Sequence, residues 1–442
     1  MKTIDVSITS IEKYVIKYLI TDNSDLHILQ NKQVEAYIKY DNCESFDFDL
    51  TIVPKSILYI PISLYLLPIT YFYNVDVIVP EMDKVLYGRL NDMYEKYSKI
   101  YGPFSEEWSG KFTMNKIEEN TNMMSSAYEN IVFFSGGADA CSAGLNNPGK
   151  ETVLVSIPSI ESLAKEEGEL RMEKFSLIRE FSKLVDSSWI VISNNFNRDV
   201  FNDNMIQTRL SEDLKLNSSA FKFDGWFGIK YLANMCSVAP FAYSQGVKKL
   251  VMGSAFEQEE DNKSVNYDGA NPELSDSISF AGTKFSEQDE IYTRRTKKVA
   301  NIISKCNAMN KKTKIWTCFS DSSIQCGQCA KCVRTQLNIL CANANPKDWG
   351  FENFSDKAFT KYIKKFSYWE KNACWLWDII DSINDNTKYV CCNELLHWLK
   401  KIGYKEYLKK ASFKKKFGVW KKLLKIYKYP HYVRSVLKKF RK

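Results

Sequence analysis

Four apolar residues, Ile131-Val132-Phe133-Phe134, run directly into Ser135-Gly136-Gly137-Ala138-Asp139. Two β-branched and two aromatic residues in a row predict a buried strand, and the small residues beyond the glycines predict the start of a helix. The pattern recurs downstream. Val153–Ile157, Trp189–Ser193, Lys249–Met252 and Lys314–Cys318 read as four further strands, with Arg171–Val185, Trp226–Gln245 and Asp289–Lys305 as helices among them. Such alternation predicts an α/β domain built on a parallel sheet. Upstream, Thr3–Ile8, Val34–Tyr40, Phe46–Val53 and Val75–Val79 have the alternating or β-branched character of short strands. Ile57–Asn74 carries no charge over 18 residues, the length at which a membrane helix has to be weighed. Pro61, Pro68 and several tyrosines favour a buried strand–helix unit instead. Glu81–Tyr101 sets Met82, Leu86, Leu90, Met93, Tyr97 and Ile100 on one face of an amphipathic helix, which Gly102-Pro103 stops. From Trp349 onward the chain reads as helical and aromatic, with Trp369, Trp375, Trp377, Trp398 and Trp420. Three domains are expected: an α+β accessory domain over 1–125, the α/β domain over 126–347, and a helical region over 348–442.

Composition narrows the class. With 442 residues, 45% hydrophobic and 26% charged, the chain reads as a globular protein with ample core. Twelve cysteines with no cationic and apolar leader at Met1-Lys2-Thr3 predict a reducing, cytoplasmic setting, where metal or core roles outrank disulfides. The net charge of +8 is uneven: residues 405–442 hold fifteen Lys or Arg against Glu406, leaving −6 for the rest. That confines the expectation of an anionic partner to the tail. The three histidines, His27, His397 and His431, all lie outside the α/β stretch, which argues against histidine-based acid–base or metal chemistry there.

Two constellations carry candidate chemistry. Glycines in Ser135-Gly136-Gly137 let backbone N–H groups converge on one point, and a helix N-terminus behind them favours an anion, usually a phosphate. An ordinary strand–turn–helix connection uses the same residues, and Asp139 also suits a helix cap. The second constellation is Cys318, Cys326, Cys329 and Cys332, spaced C-x7-C-x2-C-x2-C. Four thiolates at that spacing suit a closed tetrahedral Zn²⁺ site with no position left for catalysis.

Ser135-Gly136-Gly137-Ala138-Asp139 resembles the SGGxD loop of the PP-loop ATP pyrophosphatases. The cysteine segment, Trp316-Thr317-Cys318 with Cys326-Gly327-Gln328-Cys329-Ala330-Lys331-Cys332, is similar to the zinc site of the 7-cyano-7-deazaguanine synthase branch of that superfamily. The resemblance covers about residues 128–345 and implies a Rossmann-like PP-loop sheet with a zinc knuckle. It also implies a ligase that uses ATP and Mg²⁺ to activate a carbonyl or carboxylate oxygen for amide, amidine or nitrile formation. Ser135, Gly136, Gly137 and Asp139 would cradle the ATP phosphates and serve the Mg²⁺. The chain departs from the family at Ala140-Cys141, where a hydroxyl residue is usual, so Ser142 is the candidate replacement. The polar stretch Glu257–Asp289 also differs from the family's substrate region, which leaves the substrate open. Arg294, Arg295, Lys331 and Arg334 are candidate phosphate contacts or solvated charges.

The expected partners are a small-molecule substrate and, for the tail, an anionic membrane surface, RNA or an acidic protein. The tail sets Phe413, Phe417, Trp420, Leu423 and Leu424 among lysines, in the manner of a basic amphipathic helix. A docked helix displaying its lysines fits the same pattern, and a homodimer stays open. A non-catalytic or defence-related nucleotide-binding protein and an RNA-modifying PP-loop enzyme are the alternative functions.

Overall fold

The computed structural model describes residues 2–101, 110–121, 127–158, 167–208, 232–253, 272–286, 293–318 and 324–355, with isolated positions between 379 and 403. The chain divides into two compact units, Met1–Thr293 and Arg294–Lys442. The tail beyond 404, the five C-terminal tryptophans and Ser254–Asn271 lie outside the described residues.

The first unit is an α/β structure on one large sheet. Its strands are β1 (Thr3–Glu12), β2 (Val15–Asp22), β3 (Gln33–Asp41), β4 (Asp76–Asp83), β5 (Phe112–Glu118), β6 (Asn130–Phe133), β7 (Thr152–Ser156), β8 (Ser188–Asn194), β9 (Lys249–Val251), β10 (Ser279–Phe280) and β11 (Thr283–Ser286). They form an 11-stranded sheet in the order β10-β11-β9-β6-β7-β8-β3-β2-β1-β4-β5. β6 pairs in parallel with β7 and β9, β7 with β8, and β9 with β11. In chain order this five-stranded core reads 3-2-1-4-5, and its direction of growth reverses between β6 and β9. β7 is buried at all five residues, as expected of a parallel strand covered on both faces. β2 and β3 alternate buried and more exposed positions, the mark of strands with one face to the core.

The first 125 residues share this sheet and its core. β3 pairs antiparallel with β8, Tyr40 opposite Ile192, and one hydrophobic cluster runs from Ile4 through Phe285. A boundary near 125 therefore falls inside one unit, because the edge of β8 is completed by β3. The sheet also curls back on itself. Asp83, at the end of β4, accepts a hydrogen bond from Ala281 N–H in the β10–β11 turn at 3.4 Å. Arg89 Nε, in the helix Lys84–Tyr101, donates to Ser279 Oγ at 3.3 Å. The helix Ile60–Tyr73 packs against β4 and, through Tyr65, against Phe196 and Phe201. Its apolar residues surround the whole helix, so it has to be buried on all sides, and Ile62, Leu64, Leu66 and Ile69 are. Each such side chain contributes about 1.5–3 kcal/mol on burial. Among the described residues no helix is long and apolar enough to cross a membrane.

Several expected elements differ. Phe46–Val53 is not a strand: Asp49 caps a short turn over Leu50–Ile52, accepting from Thr51 N at 2.9 Å and from Thr51 Oγ1 at 2.7 Å. Its alternation arises because Phe46 and Phe48 turn inward onto Phe241. Lys314–Cys318 is irregular, and Ile315 N–H bonds Trp349 O. The fifth parallel strand is β11, inside the polar stretch Glu257–Asp289. The helix expected from Glu81 starts at Lys84, since β4 runs on to Asp83. Of its expected face, Leu86, Met93 and Tyr97 are buried and Leu90 is half-buried, while Met82 falls in β4.

Candidate functional site

Where β6 ends, Phe134 N–H still reaches Val155 O at 2.8 Å, and the chain then leaves the sheet. Gly136 adopts φ +86°, a left-handed conformation that strains any residue with a Cβ. Gly137 is the N-cap of the helix Ala138–Asn146 and makes no side-chain cap bond. The loop is fastened from within. Gly137 N–H donates to Ser135 Oγ at 3.4 Å, Cys141 N–H to Gly137 O at 2.9 Å, and the Cys141 thiol to Gly136 O at 3.4 Å. Asp139 is half-buried in the first helical turn.

This loop stands at the carboxyl end of β6, beside β9, at the point where the strand order reverses. In open α/β sheets that reversal leaves a crevice, because the connections to either side depart in opposite directions. A small, partly open cleft lies there, with a cavity volume of about 40 Å³. It is lined by Phe134, Ser135 and Ala140 after β6, Ser156 and Ile157 at the end of β7, Met252 and Gly253 after β9, and Met235. Gly253 fits closely against the loop. A Cβ on it would lie 2.4 Å from Asp139 O and 2.7 Å from Ala140 N, so the end of β9 directly buttresses the helix start.

The structure thus brings Ser135 to the cleft, with Gly136, Gly137 and Asp139 in the same loop and first turn. Ser142 is buried within the helix, 4% exposed, and is not among the lining residues. Asn194 and Asn195, which the strand pattern also sets at a carboxyl end, serve the scaffold. Asn194 Nδ2 donates to Asn234 Oδ1 at 2.6 Å, and Asn195 Oδ1 accepts from Tyr37 N–H at 2.9 Å, tying β3 to β8. Ser254, Ala255 and Glu257 lie outside the described residues.

The second unit holds the cysteines. The sulfurs of Cys318, Cys326, Cys329 and Cys332 all lie within 4.8 Å of one another. Tetrahedral zinc at Zn–S of about 2.3 Å places its sulfurs ~3.8 Å apart, and Cys326 Sγ is 3.9 Å from Cys332 Sγ. Backbone N–H groups point at the sulfurs: Cys326 N to Cys318 Sγ and Cys329 N to Cys326 Sγ, each 3.3 Å. Cys329 caps the helix Ala330–Cys341 through its sulfur. A hydrogen bond with Cys329, then burial, pushes the Cys332 thiol well above the usual range, and burial raises that of Cys326. Four crowded sulfurs cannot all be anionic alone, and a divalent cation reverses that balance. The donor set and its spacing therefore fit a structural metal such as zinc.

Two residues of this centre escaped the sequence reading. Gln325, 2% exposed, accepts from Thr317 N–H at 2.9 Å and donates to Ile315 O and Gly350 O, each at 2.9 Å. Gln336 donates to Gly327 O at 2.9 Å and Cys332 O at 3.1 Å. They fix both arms of the knuckle, and only their position beside the cysteines could have marked them. Arg294 and Arg295 open the helix Arg295–Ala308, while Lys331 and Arg334 lie on Ala330–Cys341, all four in this second unit.

No family model matches the chain, and neither a curated protein nor a solved structure matches it.

Proposed function

We propose that this chain is an ATP-dependent enzyme of the PP-loop type, forming a C–N bond on a small molecule by activating a carbonyl or carboxylate oxygen. The observation that carries this reading is the position of Ser135–Asp139 at the carboxyl end of a parallel strand, where the strand order reverses between β6 and β9. In the reaction, the substrate oxygen attacks a phosphorus of ATP, the P–O bond to the departing pyrophosphate or ADP breaks, and the oxygen becomes part of an adenylate or phosphate leaving group. A nitrogen nucleophile then expels it as AMP or phosphate, giving an amide from a carboxylate or an amidine from an amide; a nitrile forms instead when an activated amide loses its N–H protons together with that leaving group.

Each residue has a defined part. The Ser135 hydroxyl and the N–H groups of the Gly136–Gly137 turn hold phosphate oxygens at the start of the helix, where its dipole favours negative charge. Asp139 would hold Mg²⁺ or its water shell, and the bound cation would offset the charge that builds on the phosphate oxygens. Phe134, Ile157 and Met252 contribute apolar walls to the cleft. The cysteine centre, with four protein ligands, is structural.

The test is Mg²⁺-ATP turnover by purified protein, with candidate acceptors and ammonia supplied. Asp139→Ala should lower turnover by about 10²–10³-fold, the scale of losing one electrostatic contact to developing charge, and leave metal content and melting unchanged. Wild-type protein that neither binds nor turns over ATP refutes the proposal. Tight binding without turnover on any acceptor favours a non-catalytic nucleotide sensor instead.

A further inference from the structure

The sheet ends in two different edges. One is β10, only the two residues Ser279–Phe280, and the other is β5, seven residues long. Among the described residues β5 pairs with β4 alone. Val77 N–H donates to Lys111 O at 2.9 Å, and the register keeps one offset from Val77 opposite Phe112 to Asp83 opposite Glu118. Backbone groups of successive strand residues point to opposite sides. The N–H and C=O groups of Thr113, Asn115 and Ile117 therefore face β4. Those of Met114, Lys116 and Glu118 face outward, where no other described residue bonds them. Open edges are usually blunted by proline, a bulge or an unpaired lysine. β5, Phe112-Thr113-Met114-Asn115-Lys116-Ile117-Glu118, has no proline and no bulge, and its one lysine is ion-paired with Glu118. Ile117 is 44% exposed.

The edge is complementary to itself. Two copies of one strand related by a two-fold axis run antiparallel, each presenting the same surface to the other. With the axis at Ile117, Lys116 of each copy lies opposite Glu118 of the other, and Ile117 meets Ile117. The outward backbone groups at 116 and 118 then face each other as hydrogen-bonded pairs, while the two isoleucines occupy the closer, non-bonded pair. Opposite charges directly across a pair stabilise it, and like charges oppose it. Centred on Asn115 instead, Met114 would face Lys116 and Phe112 would face Glu118, which matches neither charge nor apolarity. We propose that β5 is a dimerisation edge whose occupant is a second copy of this chain, joined antiparallel about Ile117 into one continuous sheet. The two-residue β10 is too short to receive β5, and such a head-to-tail contact would propagate rather than close. This inference rests on β5 alone and stands apart from the nucleotide reading of the β6–β9 cleft.

The test is sedimentation velocity of the full-length protein across a concentration series. A two-strand contact is at the small end of specific interfaces, so the dimer Kd should fall in the range of about 1–100 µM. Lys116→Glu sets glutamate against glutamate at both symmetric positions, and Glu118→Lys sets lysine against lysine. Each alone should raise the Kd at least about 10-fold. Mixing the two variants restores opposite charges only between unlike chains, so a heterodimer should form with an affinity near that of the wild type. An ion pair that served only within its own chain could not be rescued this way. Lys116→Pro removes an outward N–H and no bond to β4, a position where an edge strand tolerates proline, and it should abolish the dimer. Three results overturn the proposal: wild-type protein that stays monomeric at about 100 µM, charge variants that dimerise like wild type, or a mixture of the two that remains monomeric.

Discussion

Replacing Gly253 by alanine adds a single methyl group at the point where β9 meets the loop. That methyl would lie 2.4 Å from Asp139 O, 2.5 Å from Asp139 C and 2.7 Å from Ala140 N. All three are backbone atoms, so no side chain can rotate away. Restoring ordinary separation, ~3.5 Å, needs a shift of about 1 Å between β9 and the start of the helix Ala138–Asn146. Overpacking of this kind costs about 1–3 kcal/mol, which for a unit of this size lowers the melting temperature by roughly 2–10 °C. Because the shifted atoms belong to Asp139 and Ala140, Mg²⁺-ATP turnover should fall more than stability does, by up to about 10²-fold for a 1 Å misplacement. Gly88→Ala is the control. Gly88 lies in the helix Lys84–Tyr101 with nothing within 4 Å of its added Cβ, so it should gain about 0.5–1 kcal/mol. Differential scanning fluorimetry and a phosphate or pyrophosphate release assay read both arms. Gly253→Ala with unchanged melting would refute the packing argument; lowered melting with unchanged turnover would refute the link from Gly253 to the loop.

Two further substitutions probe the rest of the structure. Purified protein should carry about one Zn²⁺ per chain, and Cys329→Ser should lose most of it and melt earlier, because metal binding and local folding are coupled; metal analysis showing a metal-free wild type sinks the assignment. Asp83→Ala strips acceptors from Leu86 N–H at 3.0 Å, Asn120 Nδ2 at 2.9 Å and Ala281 N–H at 3.4 Å, a cap plus buried donors worth about 2–4 kcal/mol together. A thermal midpoint within a degree of wild type would show that the closure of the sheet near Asp83 contributes nothing.

The local elements nearest the chemistry were legible in the sequence. Ile131–Phe134 is apolar at every position because β6 is covered on both faces, and the glycines after it have one conformational reason to be there, visible at Gly136. The cysteines declared their cluster through spacing alone, since C-x2-C turns bring sulfurs together almost regardless of the fold around them. Tertiary structure decided what no local pattern encodes. β11 is short and sits in a polar stretch, so nothing in Thr283–Ser286 announces a strand; pairing with β9 makes it one. Phe46–Val53 alternates like a strand, but its partners are the aromatic rings of Phe241 and Tyr128 rather than a neighbouring backbone. The N-terminal residues looked self-sufficient, yet the edge of β8 is closed by β3, and the curl of the sheet returns Asp83 to Ala281 across 198 positions of chain. Periodicity reports which face of a segment is covered, and only the folded chain determines what covers it.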